Sequence, residues 1–183
     1  MQRLFFNCLL AFNCFFVFFG CSEEQDFDQF DDLSVTPLVA SSIFYLESDE
    51  QFINTAATFS SFYTETFNFD AFNEQFVAER LIEGTITYEI ENTTSKRLNI
   101  AVEFLDDTEA TLDFELFEVE PAPSEIQTIE VPYGPGGKSL DILAATSNIR
   151  VTGNNLGDNT SVSSSEESKI IMRSAAEFLF RLK

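Results

Sequence analysis

The chain has 183 residues, with 10 Lys and Arg against 31 Asp and Glu, no His, and a formal net charge of −21. That length bounds it at about one domain, at roughly 100–200 residues per domain. The charge argues against nucleic acid as a partner, because affinity for phosphates comes largely from Lys and Arg. Without His there is no imidazole base, no Ser–His or Cys–His nucleophile pair and no histidine metal ligand.

Residues 1–20, MQRLFFNCLLAFNCFFVFFG, carry Arg3 near the start, then a run dominated by Phe and Leu, then Gly20 and Cys21. A short positive region, an apolar stretch and a small residue are the parts of a secretory signal peptide. Asn7 and Asn13 interrupt the apolar run, which is also short of the ~20 residues a transmembrane helix needs. Cys8, Cys14 and Cys21 are the three cysteines. Cleavage before Cys21 would leave one, so a disulfide or Cys-based zinc site within the mature chain is not expected.

Phe18-Phe19-Gly20-Cys21 resembles a bacterial lipobox, in which the cysteine is acylated and becomes the mature N-terminus. It departs from the commonest pattern, which has Leu and a small residue in place of Phe18 and Phe19. Ser22-Glu23-Glu24 resembles the acidic export signal of surface lipoproteins of the Bacteroidota. These resemblances cover about the first 30 residues and imply acylation at Cys21, an export signal at Ser22, Glu23 and Glu24, and an outer-membrane lipoprotein displayed at the cell surface. Lipid chains contribute about 0.8 kcal/mol per buried methylene, and two or more hold a protein stably on a membrane.

Residues 21–34, CSEEQDFDQFDDLS, are almost all acidic or polar and read as a flexible tether, since they can bury too little to offset their ordering entropy. Asp26, Asp28, Asp31 and Asp32 mimic a calcium loop, but Phe30 and Asp31 stand where an EF-hand needs an oxygen ligand and a glycine, and Pro37 where it needs Glu. Residues 35–183 read as a single domain. Val35–Leu46 holds a first strand, with Pro37 near its start.

The Phe-rich 59–76 segment has Phe59, Phe62, Phe67, Phe69, Phe72 and Phe76. It reads as core in preference to a sugar-stacking platform, which relies chiefly on Trp and Tyr; cavity lining stays open. Asp70 is placed to cap a short helix through Leu81, with Phe72, Phe76 and Leu81 near one face.

Alternation then becomes clear. Ile86, Tyr88 and Ile90 in one segment, and Leu98, Ile100, Val102 and Phe104 in the next, mark two strands with one apolar face each. The turn-rich Asn92–Arg97 joins them as a β-hairpin. Leu112 to Val119 is a third strand of this region. It starts with Leu112, Phe114 and Leu116 in register and continues with Phe117 and Val119, a parity slip that indicates a bulge or a face shared by two layers.

Ile129 and Val131 mark a short strand ended by Pro132–Gly137. Gly137-Lys138-Ser139 mimics a phosphate loop, but Pro132 occupies the place of its first glycine, so no nucleotide is expected. Ser139 caps a helix over Leu140–Ala145, and Ile149–Val151 resumes a strand. Residues 152–168 read as an exposed loop. There Asn154, Asn155, Asp158 and Asn159 offer oxygens, as Asx turns do more often than calcium sites. At the C-terminus, Phe178, Phe180 and Leu182 favour a final strand over the helical stripe Ile171, Ala175, Phe178 and Leu182.

About seven strands with one or two short helices make the chain mainly β, an antiparallel β-sandwich. Residues 85–107, ITYEIENTTSKRLNIAVEFLDD, resemble the strand pair of late-embryogenesis-abundant (WHy-type) β-sandwich domains, with Asn92-Thr93 where that family has Asn-Pro. The resemblance bears on architecture and transfers no function.

The sequence therefore points to a non-enzymatic, lipid-anchored envelope protein with a binding or scaffolding role. Membrane attachment is through the lipid, an envelope protein is a candidate partner, and no metal or cofactor is expected. Two alternatives stand: a periplasm-facing carrier or assembly factor for an acyl chain or partner protein, and a carboxylate-based glycan hydrolase. Carboxylates at 89, 91 and 103 fall on the polar face of the hairpin, where solvated charge is the default.

Overall fold

The computed structural model describes residues 34–56, 61–69, 71–72, 75–123, 125–165 and 167–182. The leader, Cys21, Ser22, Glu23, Glu24 and the four tether aspartates lie outside them, as do Phe59 and Asp70.

Among the described residues, eight strands form from segments that alternate apolar and polar residues. They are β1 (Leu38–Asp49), β2 (Tyr63–Asn68), β3 (Leu81–Asn92), β4 (Leu98–Leu105), β5 (Thr111–Val119), β6 (Gln127–Tyr133), β7 (Asn148–Asn155) and β8 (Lys169–Phe180). Three short helices join them: α1 (Glu50–Thr55), α2 (Gln75–Ala78) and α3 (Leu140–Ala145). One sheet has the order β1-β8-β3-β6 and the other β2-β7-β4-β5. All the pairings are antiparallel. That order, in which the chain crosses between the sheets in two interlocked Greek keys, is the jelly-roll form of the β-sandwich.

The sheets close on one another through aromatic pairs that cross the interior. Phe44 of β1 stacks on Phe67 of β2 with ring centroids 5.5 Å apart. Tyr88 of β3 meets Phe117 of β5 at 4.9 Å, and Phe104 of β4 meets Tyr133 of β6 at 6.3 Å. Edge strand β1 therefore faces edge strand β2, while β3 meets β5 and β4 meets β6 across the core. Ile86, Tyr88 and Ile90 of β3 and Leu98, Ile100, Val102 and Phe104 of β4 are all at or below 1% exposure, so both alternating runs present their apolar faces to the core. The hairpin expected of them does not form: β3 pairs with β6 and β8, β4 with β5 and β7, and Asn92–Arg97 carries the chain from one sheet to the other. The C-terminal segment is a strand that sits between β1 and β3.

The mainly β, antiparallel sandwich is as expected, and the described residues form eight strands where about seven were expected, because the Phe-rich segment contains β2, where Phe67 packs partly buried against the core. Other expectations are corrected. Phe62, Phe69 and Phe72 are buried as core, whereas Phe76 is 61% exposed under the Arg80 guanidinium, 3.4 Å from its ring centre. Of the helix expected from Asp70 to Leu81, the described residues include the four of α2, residues 70, 73 and 74 lying outside them; Leu81 already belongs to β3, whose pairing with β8 takes the chain into the sheet.

In β5 the phase is also reversed. Phe117 and Val119 set the inward face, leaving Phe114 48% and Leu116 50% exposed. The register irregularity falls near Leu105, away from residues 116–117. Finally, α3 begins as the spacing implies, with Ser139 Oγ accepting from the Asp141 N–H at 3.2 Å.

Candidate functional site

Two clusters of chemistry-bearing residues stand at opposite edges of the sandwich. At the β5–β6 edge, the reversed phase of β5 turns Asp113 and Glu115 inward. Lys138, just after the glycine turn, donates to Asp113 at 2.6 Å and also to Glu115. Tyr133 donates its hydroxyl to Asp113 at 3.3 Å. Burial tends to lower the Lys138 pKa, but the bonds to Asp113 and Glu115 outweigh it and hold the ammonium above its ordinary range. The Tyr88 hydroxyl behind them is pushed well up by burial and by the nearby charges. Both carboxylates are thus engaged by a cation of the chain itself, and the cluster is closed around its own lysine. Sequence reasoning did not single out these acids, because apolar residues occupy both faces of β5 and leave open which set turns inward.

The β1–β2 edge is open. Tyr45, Glu47, Ser48 and Asp49 at the end of β1, Phe52 of α1 and Tyr63 at the start of β2 line a concavity of about 630 Å³. The Tyr45 ring is 50% and the Phe52 ring 53% exposed. Glu47 accepts from the Tyr45 hydroxyl and from Lys169 Nζ at 2.8 Å. The lysine first, and then the tyrosine, hold its carboxyl below the usual range, and Tyr45 is raised in return. Tyr63 donates to Glu65 at 2.6 Å, and burial followed by that bond raises its hydroxyl. Asp49 caps α1 by accepting from the Phe52 N–H at 2.6 Å.

The Ser48 side chain is the exception. Ser48 is 6% exposed, and its hydroxyl has no partner among the described residues.

Helix α1 has only six residues, so its position must come from outside it. Buried Glu50 accepts from the N–H groups of Ser95 and Ser163, each at 2.7 Å, tying α1 to the β3–β4 and β7–β8 loops. Burial pushes the Glu50 carboxyl up, but the Ser95 and Ser163 donors outweigh it and leave it below its ordinary value. The β7–β8 loop is fixed in turn by Lys96, which is fully buried. Its ammonium donates to the carbonyls of Asp158 at 3.0 Å and Ser161 at 2.7 Å, and to Ser161 Oγ at 3.0 Å. The Asx-rich loop read as a weak calcium candidate is therefore wrapped around a lysine. Asn54 Nδ2 also donates to the Ser161 carbonyl, at 3.2 Å. The wall carrying Phe52 is held by both loops, as a preformed site requires.

The remaining sequence candidates are scattered over the surface. Glu89 lies 4.0 Å from Arg173, and Glu103 lies 3.7 Å from Arg150. Among the described residues, no group of three or more Cys, Asp or Glu is arranged to hold a metal ion, and no helix is long and apolar enough to cross a membrane. Sequence reasoning missed the concavity because Tyr45, Phe52 and Tyr63 belong to three elements, and only the meeting of β1 with β2 brings them together.

No family model and no curated protein matches the chain. Among solved structures it is similar to the VP2 subviral particle of infectious bursal disease virus, with TM-score 0.38 and 5% identity over 81% of this chain and 33% of that one. It is likewise similar to Desmodium yellow mottle tymovirus, with TM-score 0.38 and 8% identity over 82% and 83%. A third likeness is the CBM22-2 xylan-binding domain of Paenibacillus barcinonensis Xyn10C, with TM-score 0.33 and 9% identity over 79% and 87%. The chain spans 33% of the length of the first of these. Likenesses at these scores say nothing about ligand or activity.

Proposed function

We propose that the chain is a lipid-anchored envelope protein, acylated at Cys21 and displayed at the outer surface of an outer membrane, whose jelly roll serves as a non-enzymatic binding module. The observation that carries this reading is the placement of the concavity. Strand β1 has 12 residues from Leu38 to Asp49, which at about 3.3 Å per residue separates its ends by roughly 35 Å. The segment that leads to the tether enters at Leu38, and the aromatic and carboxylate groups converge at Asp49. The concavity thus stands about one strand's length from Leu38, the end of β1 through which the N-terminal segment enters.

Localisation tests the anchoring. Labelling with radioactive palmitate should mark the wild-type protein and fail to mark Cys21→Ser, and protease added to intact cells should remove the domain. Protection in intact cells but digestion in permeabilised ones would contradict surface display, and unchanged labelling of Cys21→Ser would contradict the anchor.

A further inference from the structure

Resting on that reading, we propose that the end of the jelly roll carrying Arg80 and Arg181, where the chain enters the domain, docks on phosphate-bearing anionic headgroups of the membrane that holds the anchor. The starting point is where positive charge goes unanswered.

Lys96, Arg97, Lys138, Arg150, Lys169 and Arg173 each have a carboxylate oxygen within 4.0 Å. Arg80 and Arg181 have none among the described residues, in a chain with 31 Asp and Glu. These two lie together. The Arg181 N–H donates to the Arg80 carbonyl at 2.8 Å, and both residues line a concavity of about 420 Å³ with Leu81 and Ile82. Glu79 also lines it, with its carboxylate accepting from Gln75 Nε2 at 2.6 Å. The Arg80 guanidinium is held in place, over the Phe76 ring and donating to the Phe76 carbonyl at 2.9 Å. One of its five N–H donors is thereby used, and the planar fork keeps others for a phosphate, whose geometry it matches.

A pair of arginines alone would serve a soluble phosphate as well as a headgroup, and the apolar surroundings favour the membrane surface. Val35, Leu38, Phe76 and Leu182 are 55%, 61%, 61% and 44% exposed. Val35 bridges to Leu182, the residue after Arg181, and Leu38 opposes Leu179 in the β1–β8 ladder. Apolar side chains bordering arginines suit an interface, because the former can enter the acyl boundary while the guanidinium groups stay among the phosphates.

Chain length keeps this end near the bilayer. Ser34 follows Cys21 by 13 positions (34 − 21), a span of about 47 Å at full extension. An acyl anchor at Cys21 therefore holds the arginine end at high effective concentration, where a weak contact suffices. The net charge of −21 opposes the approach, but charges beyond about 8 Å are largely screened at physiological ionic strength, so the groups at the contact dominate.

The experiment reads the two arginines in the purified full-length lipoprotein, reconstituted in vesicles of phosphatidylcholine alone or with phosphatidylglycerol. Floated vesicles are treated with phenylglyoxal, and modification of each arginine is followed by peptide mass spectrometry. Rates are taken relative to Arg97 and Arg173, which are about as exposed but ion-paired elsewhere. Modification of Arg80 and Arg181 should be about tenfold slower in the anionic vesicles, with the protection lost at about 1 M salt. In Arg181→Gln the protection of Arg80 should shrink to about threefold.

Three results would overturn the proposal. One is equal modification in the two kinds of vesicle with both arginines reactive. Another is equal protection in both, which would mean that carboxylates of the chain itself occupy the arginines. The last is protection on phosphatidylcholine by inorganic phosphate as complete as that by phosphatidylglycerol, which would make the ligand a soluble phosphate. Protein that fails to float lacks the anchor and removes the underlying reading as well, whereas protein that floats with both arginines reactive removes the docking alone.

Discussion

At the scale of single residues, the side chains that organise the loop end are those whose roles depend on distant partners. Lys96 lies in a turn-rich stretch, yet it is fully buried, with acceptors 62 and 65 positions further along the chain. The Asx-rich character of the loop was legible; that its oxygens turn to a lysine was not, because sequence spacing carries no sign of so remote a cation. Lys96→Ala removes a buried stem and leaves carbonyl acceptors unpaired, and should lower unfolding free energy by about 2–4 kcal/mol in urea titrations. Arg97→Ala is the internal comparison. Its side chain is 50% exposed in pairs with Glu118 and Glu120, and it should cost less than about 1 kcal/mol. Equal effects of the two substitutions would contradict the packing role given to Lys96.

At the scale of elements, legibility followed the strength of alternation. Strands β3 and β4 could be read directly, because apolar and polar residues alternate over 86–90 and 98–104. That they enter opposite sheets instead of pairing as a hairpin could not, because alternation says which face is buried and not which strand is the neighbour. The Ser139 cap of α3 was equally local. In β5, by contrast, apolar residues occupy both faces, and the sequence cannot say which set is inside. The interior chose Phe117 and Val119, and Lys138 stabilises the acids that come inward with them. Phe117→Ala should therefore cost about 3–4 kcal/mol, whereas Phe114→Ser should stay within about 0.5 kcal/mol. The reverse ranking would restore the outward phase.

A similar argument applies where β7 passes close to the Phe-rich segment. A Cβ at Gly153 would sit 2.6 Å from the Phe62 ring, so Gly153→Ala should cost about 1–3 kcal/mol by forcing that ring aside. A stability unchanged by Gly153→Ala would mean that the ring has room to move.

At the scale of the whole molecule, the class of fold was legible from the count and spacing of alternating segments. The strand order was not, since β1 pairs with β8 across nearly the entire described chain, and only the assembled core specifies that closure. The concavity is a product of the same closure.

Charge acts at this scale as well. Glu47, Glu50, Asp106 and Asp158 are held below their ordinary values of 4.5 or 3.8. For Asp106 the Thr108 hydroxyl is the leading cause, and for Asp158 the Ser161 side chain and N–H. A carboxyl depressed in the fold takes up its proton more readily in the unfolded chain. Its contribution is therefore fully present above the ordinary value and is lost as pH falls through the folded one. Opposing this, a net charge of −21 at pH 7 repels itself, and that repulsion fades toward the pI near 4.1.

The urea midpoint at pH 7 should rise when salt is increased from about 10 to about 150 mM, and this gain should vanish near pH 4. Below that pH the midpoint should fall steeply as the depressed carboxyls protonate. A midpoint indifferent to salt at pH 7 would show that the surplus charge does not burden the fold.

The most direct test of the account is the intact mass of the protein isolated from its native membrane. The expected species begins at Cys21 and carries a diacylglyceryl group on its sulfur. A chain that retains residues 1–20, or one that begins at Cys21 with an unmodified thiol, would contradict the anchor and with it the surface role assigned to the jelly roll.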